Sequence, residues 1–294
     1  MARQLREVGQ WFRAQGVQEV VMESTAQYGK PVWQEWEGSG RLWRAQAPWN
    51  RAPRGRKREF ADAERWLRRY VAGELILSFV PGPEQRWWRT LTRSKYQLTC
   101  ARVRLHNQVE GLLEDGRIQL GVCVSDLLGV SSRRMLEGLA EGETDVAKLA
   151  EMADPAWRAR TAQLQEALSA APQLSALHRQ ILGLFRTRLE LIETQIETLH
   201  HPIAGALHRY QDAVARLAEV PGFGVDSAHQ VIAEVGVGAE SFPSPQQLSS
   251  WVGTCPGREE SAEVSINNRS PKGNRTMRHR LCRLTRKILQ QSVH

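Results

Sequence analysis

Apolar residues recur with helical spacing at Leu5, Val8 and Phe12, and Gly16 follows them as a stop. The short apolar run from Val17 to Met22, ending at Glu23, has the length and β-branched content of a buried strand. Pro31 suits the first turn of a second short helix that Gly38 and Gly40 close, and residues 41–47 can form another strand. Helix–strand–helix–strand alternation implies parallel pairing and an α/β layer. From about residue 84 the pattern is helical, with Leu91, Leu98, Leu105 and Leu112 on one face and Arg86, Arg89 and Arg93 on another. Residues 119–151 read as short helices joined by Gly and Ser turns, and residues 156–215 as long helix. Inside that helix Phe185, Leu189, Ile192, Ile196, Leu199 and Ile203 alternate spacings of four and three, the pattern of a coiled-coil seam. Such a seam either closes a helical hairpin within the chain or joins two copies. Pro202 falls inside it and should break or kink the helix.

From Glu219 the texture changes to Gly, Pro and Ser, which marks a second compact domain. Pro243 and Pro245 flank a turn, a short helix spans about 245–252, Gly-rich loops follow, and a basic helix starts near Arg275. The expected organisation is an α/β start running into helices over 1–150, a helical arm over 151–218 and a small, mainly helical domain over 219–294.

Composition changes this picture mainly through charge. Over 294 residues, 41% hydrophobic and 24% charged content are those of an ordinary folded protein. Lys+Arg 40 against Asp+Glu 32 leaves a net charge of +8, which suits a polyanionic partner such as nucleic acid. The ten tryptophans read as core and helix-packing residues ahead of base-stacking platforms. Cys100, Cys123, Cys255 and Cys282 are scattered, without CxxC or zinc spacing, and read as free thiols in a reducing compartment. No apolar run is long enough to span a membrane, and residues 1–15 do not form a signal peptide. The expectation is a soluble cytoplasmic protein without a membrane partner.

Three segments can carry chemistry. Glu23 closes the first strand, where α/β sheets place their sites, and Glu59 and Asp62 are three apart, so they share a helix face. Three such carboxylates can hold Mg²⁺ through hard oxygen ligands. Glu59 and Asp62 lie within the most basic stretch of the chain, Arg51 to Arg69, so solvated salt bridges are the plain alternative. In the second segment, Val220 to Ala228 (VPGFGVDSA), Gly222 and Gly224 form a hairpin turn that delivers a helix N-terminus. Helix–hairpin–helix elements grip DNA backbones with this pattern. A tight turn between packed helices, with Asp226 as a cap, gives the same pattern. The third segment places Ser261 in a loop upstream of Arg269, Lys272 and Arg275. A serine is a useful nucleophile only when a base or metal activates it and cations hold the phosphate, so alone it says little.

Read together, these segments resemble one family. The blocks are Met22 to Val32 (MESTAQYGKPV), Gly55 to Glu64 (GRKREFADAE), Ser78 to Pro81, Leu91 to Arg93, Asp126 to Ser131 and Met135-Leu136. They continue with Val220 to Gly224, Ala233 to Gly236, Phe242 to Ser244, Ser250 to Gly257, Glu260 to Ala262 and Lys272 to Asn274. In this order they are similar to the DEDD-type insertion-sequence transposases (the Piv/MooV-related, bridge-RNA-guided class), over nearly the whole chain. The resemblance implies an α/β plus α fold: a RuvC-like, RNase H-type domain over 1–150, a coiled-coil arm over 151–218 and a C-terminal transposase domain over 219–294. It also implies Mg²⁺ held by Glu23, Glu59 and Asp62, with Ser261 joining covalently to DNA. Phosphates would be met by Gly222, Gly224, Arg269, Lys272 and Arg275. The implied partners are DNA, a structured guide RNA and further copies of the chain as a dimer or tetramer.

The sequence departs from the family pattern in several ways. The family's first Asp lies on a strand ahead of the helix that here begins near residue 2, so the resemblance implies an N-terminal truncation and an exposed sheet edge. It likewise implies a shortened C-terminal extension. Glu59 stands where the family has Asp, and Glu263 and Val264 replace a Gly-Lys pair after the serine. The expectation is therefore a transposase by lineage with an impaired site, the alternative being a non-catalytic nucleic-acid-binding remnant or regulator.

Overall fold

In the computed structural model, residues 2–24, 28–46, 59–255, 259–261, 264–267 and 273–282 are described, with backbone alone at 59, 156, 158–159, 259–261 and 264–267. By compactness the chain divides into Met1–Gly82 and Pro83–His294.

The first unit contains α1 (Ala2–Ala14), β1 (Glu19–Glu23), α2 (Gly29–Trp36), β2 (Arg41–Ala45) and α3 (Glu59–Val71). The strands pair in parallel, from Glu19 opposite Arg41 to Glu23 opposite Ala45, as the element alternation predicts. A single antiparallel bridge joins Ala45 to Leu77. Helices α1 and α2 meet over Gly9, where a Cβ would stand 3.0 Å from the Trp36 ring. Trp36 Nε1 donates to the Leu5 carbonyl at 2.9 Å, and its ring meets Phe12 edge-on at 5.1 Å. This core is small. Phe60, Leu67 and Val71 of α3 stand largely in solvent.

Among its described residues the second unit is helical apart from one hairpin. It begins with α4 (Pro83–Asp115), α5 (Leu120–Cys123), α6 (Val130–Glu141), α7 (Val146–Glu151) and α8 (Thr161–Ala167). After these come α9 (Ala176–Leu207), α10 (Gln211–Ala218), α11 (Val225–Val235), α12 (Pro245–Val252), strands β3 (Glu259–Ser261) and β4 (Val264–Asn267), and helical residues 275–282. Helix α9 packs along α4 and α6. Leu105, Val109 and Leu113 of α4 join Met135, Leu139, Leu182, Leu189 and Ile192 in the main core. A second cluster gathers Trp88, Leu91, Ile203, Leu207, Val214 and Ile232, and a third Val235, Val252 and Met277.

Two expectations are corrected. Residues 156–215 are not one helix: 3₁₀ turns at Pro155–Arg160, Ala171–Gln173 and His208–Tyr210 interrupt it. Pro155 and Pro172 disfavour continuation there, and Ser175 caps the new start of α9 by accepting from His178 N at 3.3 Å. Conversely, α9 continues through Pro202 to Leu207. An interior proline costs about 3 kcal/mol, and burying Ile203 and Leu207 just beyond it returns about that much or more.

The seam on α9 is used within the chain. Leu189, Ile192 and Ile203 are buried, Phe185 and Ile196 pack on the main core, and Leu199 packs on the second cluster. Two leucines of α9 separate its buried face from its exposed one. Leu189→Ala should cost about 3 kcal/mol in urea denaturation, as cavity-forming core substitutions do. Leu184→Ala, at a position 64% exposed, should change stability by less than about 0.5 kcal/mol.

Candidate functional site

Two of the three expected carboxylates come together. Glu23 ends β1 and is exposed, Asp62 lies in the first turn of α3, and both line an open cleft of about 600 Å³ with Glu19, Val21, Trp66 and Tyr70. Asp62 accepts from Arg65 Nη1 at 2.6 Å, both side chains 27% exposed. Glu19 is committed to its sheet neighbours, accepting from Arg41 at 3.2 Å and from Trp43 Nε1 at 3.1 Å. Glu59 begins α3, with its side chain outside the described set. Among the described residues no group of three His, Cys, Asp or Glu side chains is placed to hold a metal ion. Glu23 and Asp62 nevertheless offer hard oxygen donors to one cleft, a donor type that fits Mg²⁺.

The most constrained polar group of the second unit is Glu234, on α11 and fully buried. Arg93 donates to it twice, Nε at 2.6 Å and Nη2 at 2.8 Å, and Asn274 Nδ2 adds a third bond at 2.9 Å. Arg89 lies 3.8 Å from the same carboxylate and donates to the backbone carbonyls of Ala233 and Glu234. The arginines sit four apart on α4, so one helix face presents both guanidinium groups. Burial pushes the Arg89 guanidinium below its ordinary value against the pull of Glu234, while the hydrogen bond to Glu234 raises that of Arg93. Guanidinium groups remain protonated in proteins, so two formal positive charges face one carboxylate here.

Asn274 has a second function at this point. Its Oδ1 accepts from Thr276 N and Met277 N at 3.1 and 3.2 Å, capping the helical residues 275–282. Its backbone N–H donates to the Trp251 carbonyl at 3.0 Å. The preceding Gly273 runs so close to α12 that an added Cβ would lie 2.2 Å from the Val252 carbonyl oxygen, so only glycine fits. Arg275 follows, exposed, at the start of the basic helix.

The turn before α11 forms as the sequence predicts. Gly222 takes φ +83°, and Gly224 is the N-cap without a side-chain cap bond. Asp226 does not cap the helix. Its carboxylate instead accepts from Lys95 Nζ at 2.6 Å, a buried ammonium on α4. Burial works to raise the Asp226 pKa, yet the Lys95 hydrogen bond and charge, with His200 and His229, hold it below its ordinary value. Arg280 Nη1 donates to Ser227 Oγ at 2.8 Å and ties the C-terminal helical segment to the first turn of α11.

Ser261 ends β3, paired with Val264 in a short antiparallel hairpin; its side chain, Glu263, Arg269 and Lys272 lie outside the described residues. The four cysteines are free, and no described helix is long and apolar enough to cross a membrane. Sequence reading did not single out Glu234, Lys95 or Asn274 as partners. The available signal was the Arg89/Arg93 pair at helical spacing, which marks a face without naming its counter-ion.

Two measurements test this electrostatic arrangement. Glu234→Gln leaves two guanidinium groups without their counter-charge and should cost about 3 kcal/mol in denaturant unfolding, the low end for broken buried pairs because Arg93 is partly exposed. His229 adds a pH dependence. Burial pushes its imidazole below the ordinary 6.5, Asp226 opposes this, and Lys95 and His200 add to it. The unfolded chain therefore binds that proton more readily, so the contribution is complete above about pH 6.5 and is lost as pH falls toward the depressed folded value. Asp226 contributes with the same sign but loses its part only below its ordinary 3.8. Melting temperature should fall on acidification from neutrality, and His229→Gln should shrink the first part of that fall.

The segment that carries α11, α12, the hairpin and the basic helix has a known counterpart. Residues 214–293 match the family model described as Transposase IS116/IS110/IS902 family. No curated protein matches the chain. The family match supports an insertion-sequence transposase.

Proposed function

We propose that this chain is a DNA transposase, a recombinase of an insertion sequence that binds DNA and a structured guide RNA and works as a homo-oligomer. The observation that carries this reading is the family match over 214–293, the stretch containing the Gly222–Gly224 turn, Ser261 and the basic run from Arg269. In this reading residues 1–150 form a RuvC-like domain, 151–218 a helical arm and 219–294 the C-terminal transposase domain with a helix–hairpin–helix element. Backbone N–H groups at the start of α11, left without a side-chain cap, suit a phosphate oxygen. Lys95 neutralises Asp226 there, which removes a charge that would repel DNA. Arg269, Lys272 and Arg275 add phosphate contacts.

Ser261 is the nucleophile of this reading. Its oxygen would form a bond to phosphorus as a deoxyribose oxygen leaves, exchanging one phosphodiester for another. Glu23, Glu59 and Asp62 would hold Mg²⁺, which supplies charge neutralisation at a phosphate. Glu59 carries one methylene more than the family's Asp, and Glu263 adds negative charge beside Ser261. Both reduce the chemistry, and they favour a second reading, a non-catalytic nucleic-acid-binding regulator.

Two experiments test the proposal. Binding to duplex DNA should weaken steeply between low and physiological salt, because each neutralised phosphate releases counterions; an affinity indifferent to salt overturns the nucleic-acid reading. With Mg²⁺ and DNA carrying element ends, a covalent protein–DNA adduct should be scarce for the natural chain and more abundant in a Glu59→Asp/Glu263→Gly variant. Ser261→Ala should abolish it. An adduct that survives Ser261→Ala removes the serine from the mechanism, and no gain in the double variant favours the regulator.

A further inference from the structure

A second concave surface lies in the helical unit, and neither the Gly222–Gly224 turn nor Ser261 is among its lining residues. It is an open cleft of about 540 Å³ lined by Arg93, Tyr96 and Gln97 of α4, Trp251 of α12, and residues from Gly273 to Thr276. Its size is within the range of about 300–1,000 Å³ usual for small-ligand sites. We propose that this cleft binds one unstacked nucleotide of a single-stranded nucleic acid, with the base against Trp251 and the phosphate toward Arg275. The inference rests on the nucleic-acid reading above and specifies the form of nucleic acid recognised here.

The lining chemistry carries the argument. Among the described residues no carboxylate lines the cleft, and Glu234, which Arg93 and Asn274 bind, is fully buried. Two guanidinium groups, Arg89 and Arg93, face the one carboxylate of Glu234, so Arg93 brings formal positive charge to the cleft, and exposed Arg275 adds another. The same cleft is lined by an aromatic ring on Trp251, an exposed amide on Gln97 and a hydroxyl on Thr276. A cation for phosphate, a ring for stacking and an amide with donor and acceptor for a base edge are what single-strand sites combine. In a duplex the base faces are already stacked, so a recessed tryptophan has nothing to receive.

The cleft is also held in shape before any ligand arrives. Arg93 is oriented by two bonds to Glu234 at 2.6 and 2.8 Å, and Trp251 packs on Phe242 with ring centroids 5.1 Å apart. Tyr96 forms a wall, with Arg280 5.8 Å from its centroid and His279 edge-on at 6.0 Å. The Asn274 bond to the Trp251 carbonyl holds the Arg275 lip against α12. Such preorganisation lowers the ordering cost of binding.

The test uses the full chain and three labelled probes: a short oligothymidylate, an oligouridylate and a mixed-sequence duplex, followed by fluorescence anisotropy. Trp251→Leu should weaken single-strand binding about tenfold, Trp251→Phe should restore most of it, and duplex binding should change less than about twofold. Arg275→Ala and Gln97→Ala lie at exposed positions and should weaken single-strand binding even if the Trp251→Leu protein folds poorly. The stronger of the thymidylate and uridylate probes identifies DNA or RNA as the source of the strand. If Arg275→Ala, Gln97→Ala and Trp251→Phe all bind single strands as the natural chain does, and a folded Trp251→Leu does too, the cleft is not the site. Salt-sensitive duplex binding would then leave the broader reading intact. If no probe binds, both readings fall together.

Discussion

Glu234 lies fully out of contact with water, and three side chains from distant parts of the chain meet on its carboxylate: Arg89 and Arg93 from α4 and Asn274 from the start of the C-terminal helical segment. A lone buried carboxylate would cost several kcal/mol, so its presence on α11 dictates that those partners arrive. Once they do, α4, α11 and residues 273–276 share one junction, and the exposed chemistry around it is set. A well-packed apolar replacement could be as stable as such a group. What the charged version adds is placement. Arg93 faces a cleft at a defined angle, and Asn274 uses its amide nitrogen for Glu234 and its oxygen to cap the next helix.

Local backbone geometry supports the junction. Gly273 passes within van der Waals reach of Val252, an approach no side chain permits, and this close pass brings Arg275 beside Trp251. The turn ahead of α11 works similarly: Gly222 takes a left-handed backbone and Gly224 leaves the helix start open. Lys95, buried on α4, then answers Asp226. One long helix therefore supplies the counter-charges at both ends of α11, Lys95 at the start and Arg89 and Arg93 at the close.

The first unit is held differently. Its parallel strand pair is small, α1 and α2 meet around Trp36, which packs on Gly9 and Phe12 and donates to the Leu5 carbonyl, and α3 keeps Phe60, Leu67 and Val71 in solvent. Glu23 and Asp62 face one cleft there, but Asp62 is tied to Arg65, so a cation would have to displace a guanidinium. Charge neutralisation is a shared theme of the two units, reached through a neighbour on the same helix in one and through distant elements in the other.

Much of the local structure was readable in the residue pattern. The alternation of Leu5, Val8 and Phe12 with the Val17–Met22 run specified helix then strand, and the parallel pairing followed. The Pro-Gly-x-Gly turn, the short helix at 245–252 and the inward leucines of α4 were likewise legible, because periodicity of 2 or 3.6 is a property of the chain itself. The seam on α9 was visible too, but its partner was not: an apolar stripe looks the same whether a second copy or α4 will cover it. Only the folded chain shows it buried against α4 and α6, and only there do Ile203 and Leu207 outweigh Pro202. The same holds for charge. Arg86, Arg89 and Arg93 read as a basic helix face, while the partners of Arg89 and Arg93 lie 145 and 141 residues away, and that of Lys95 lies 131 residues away. Sequence determines which faces exist; which faces meet depends on packing between remote elements, and that belongs to tertiary structure.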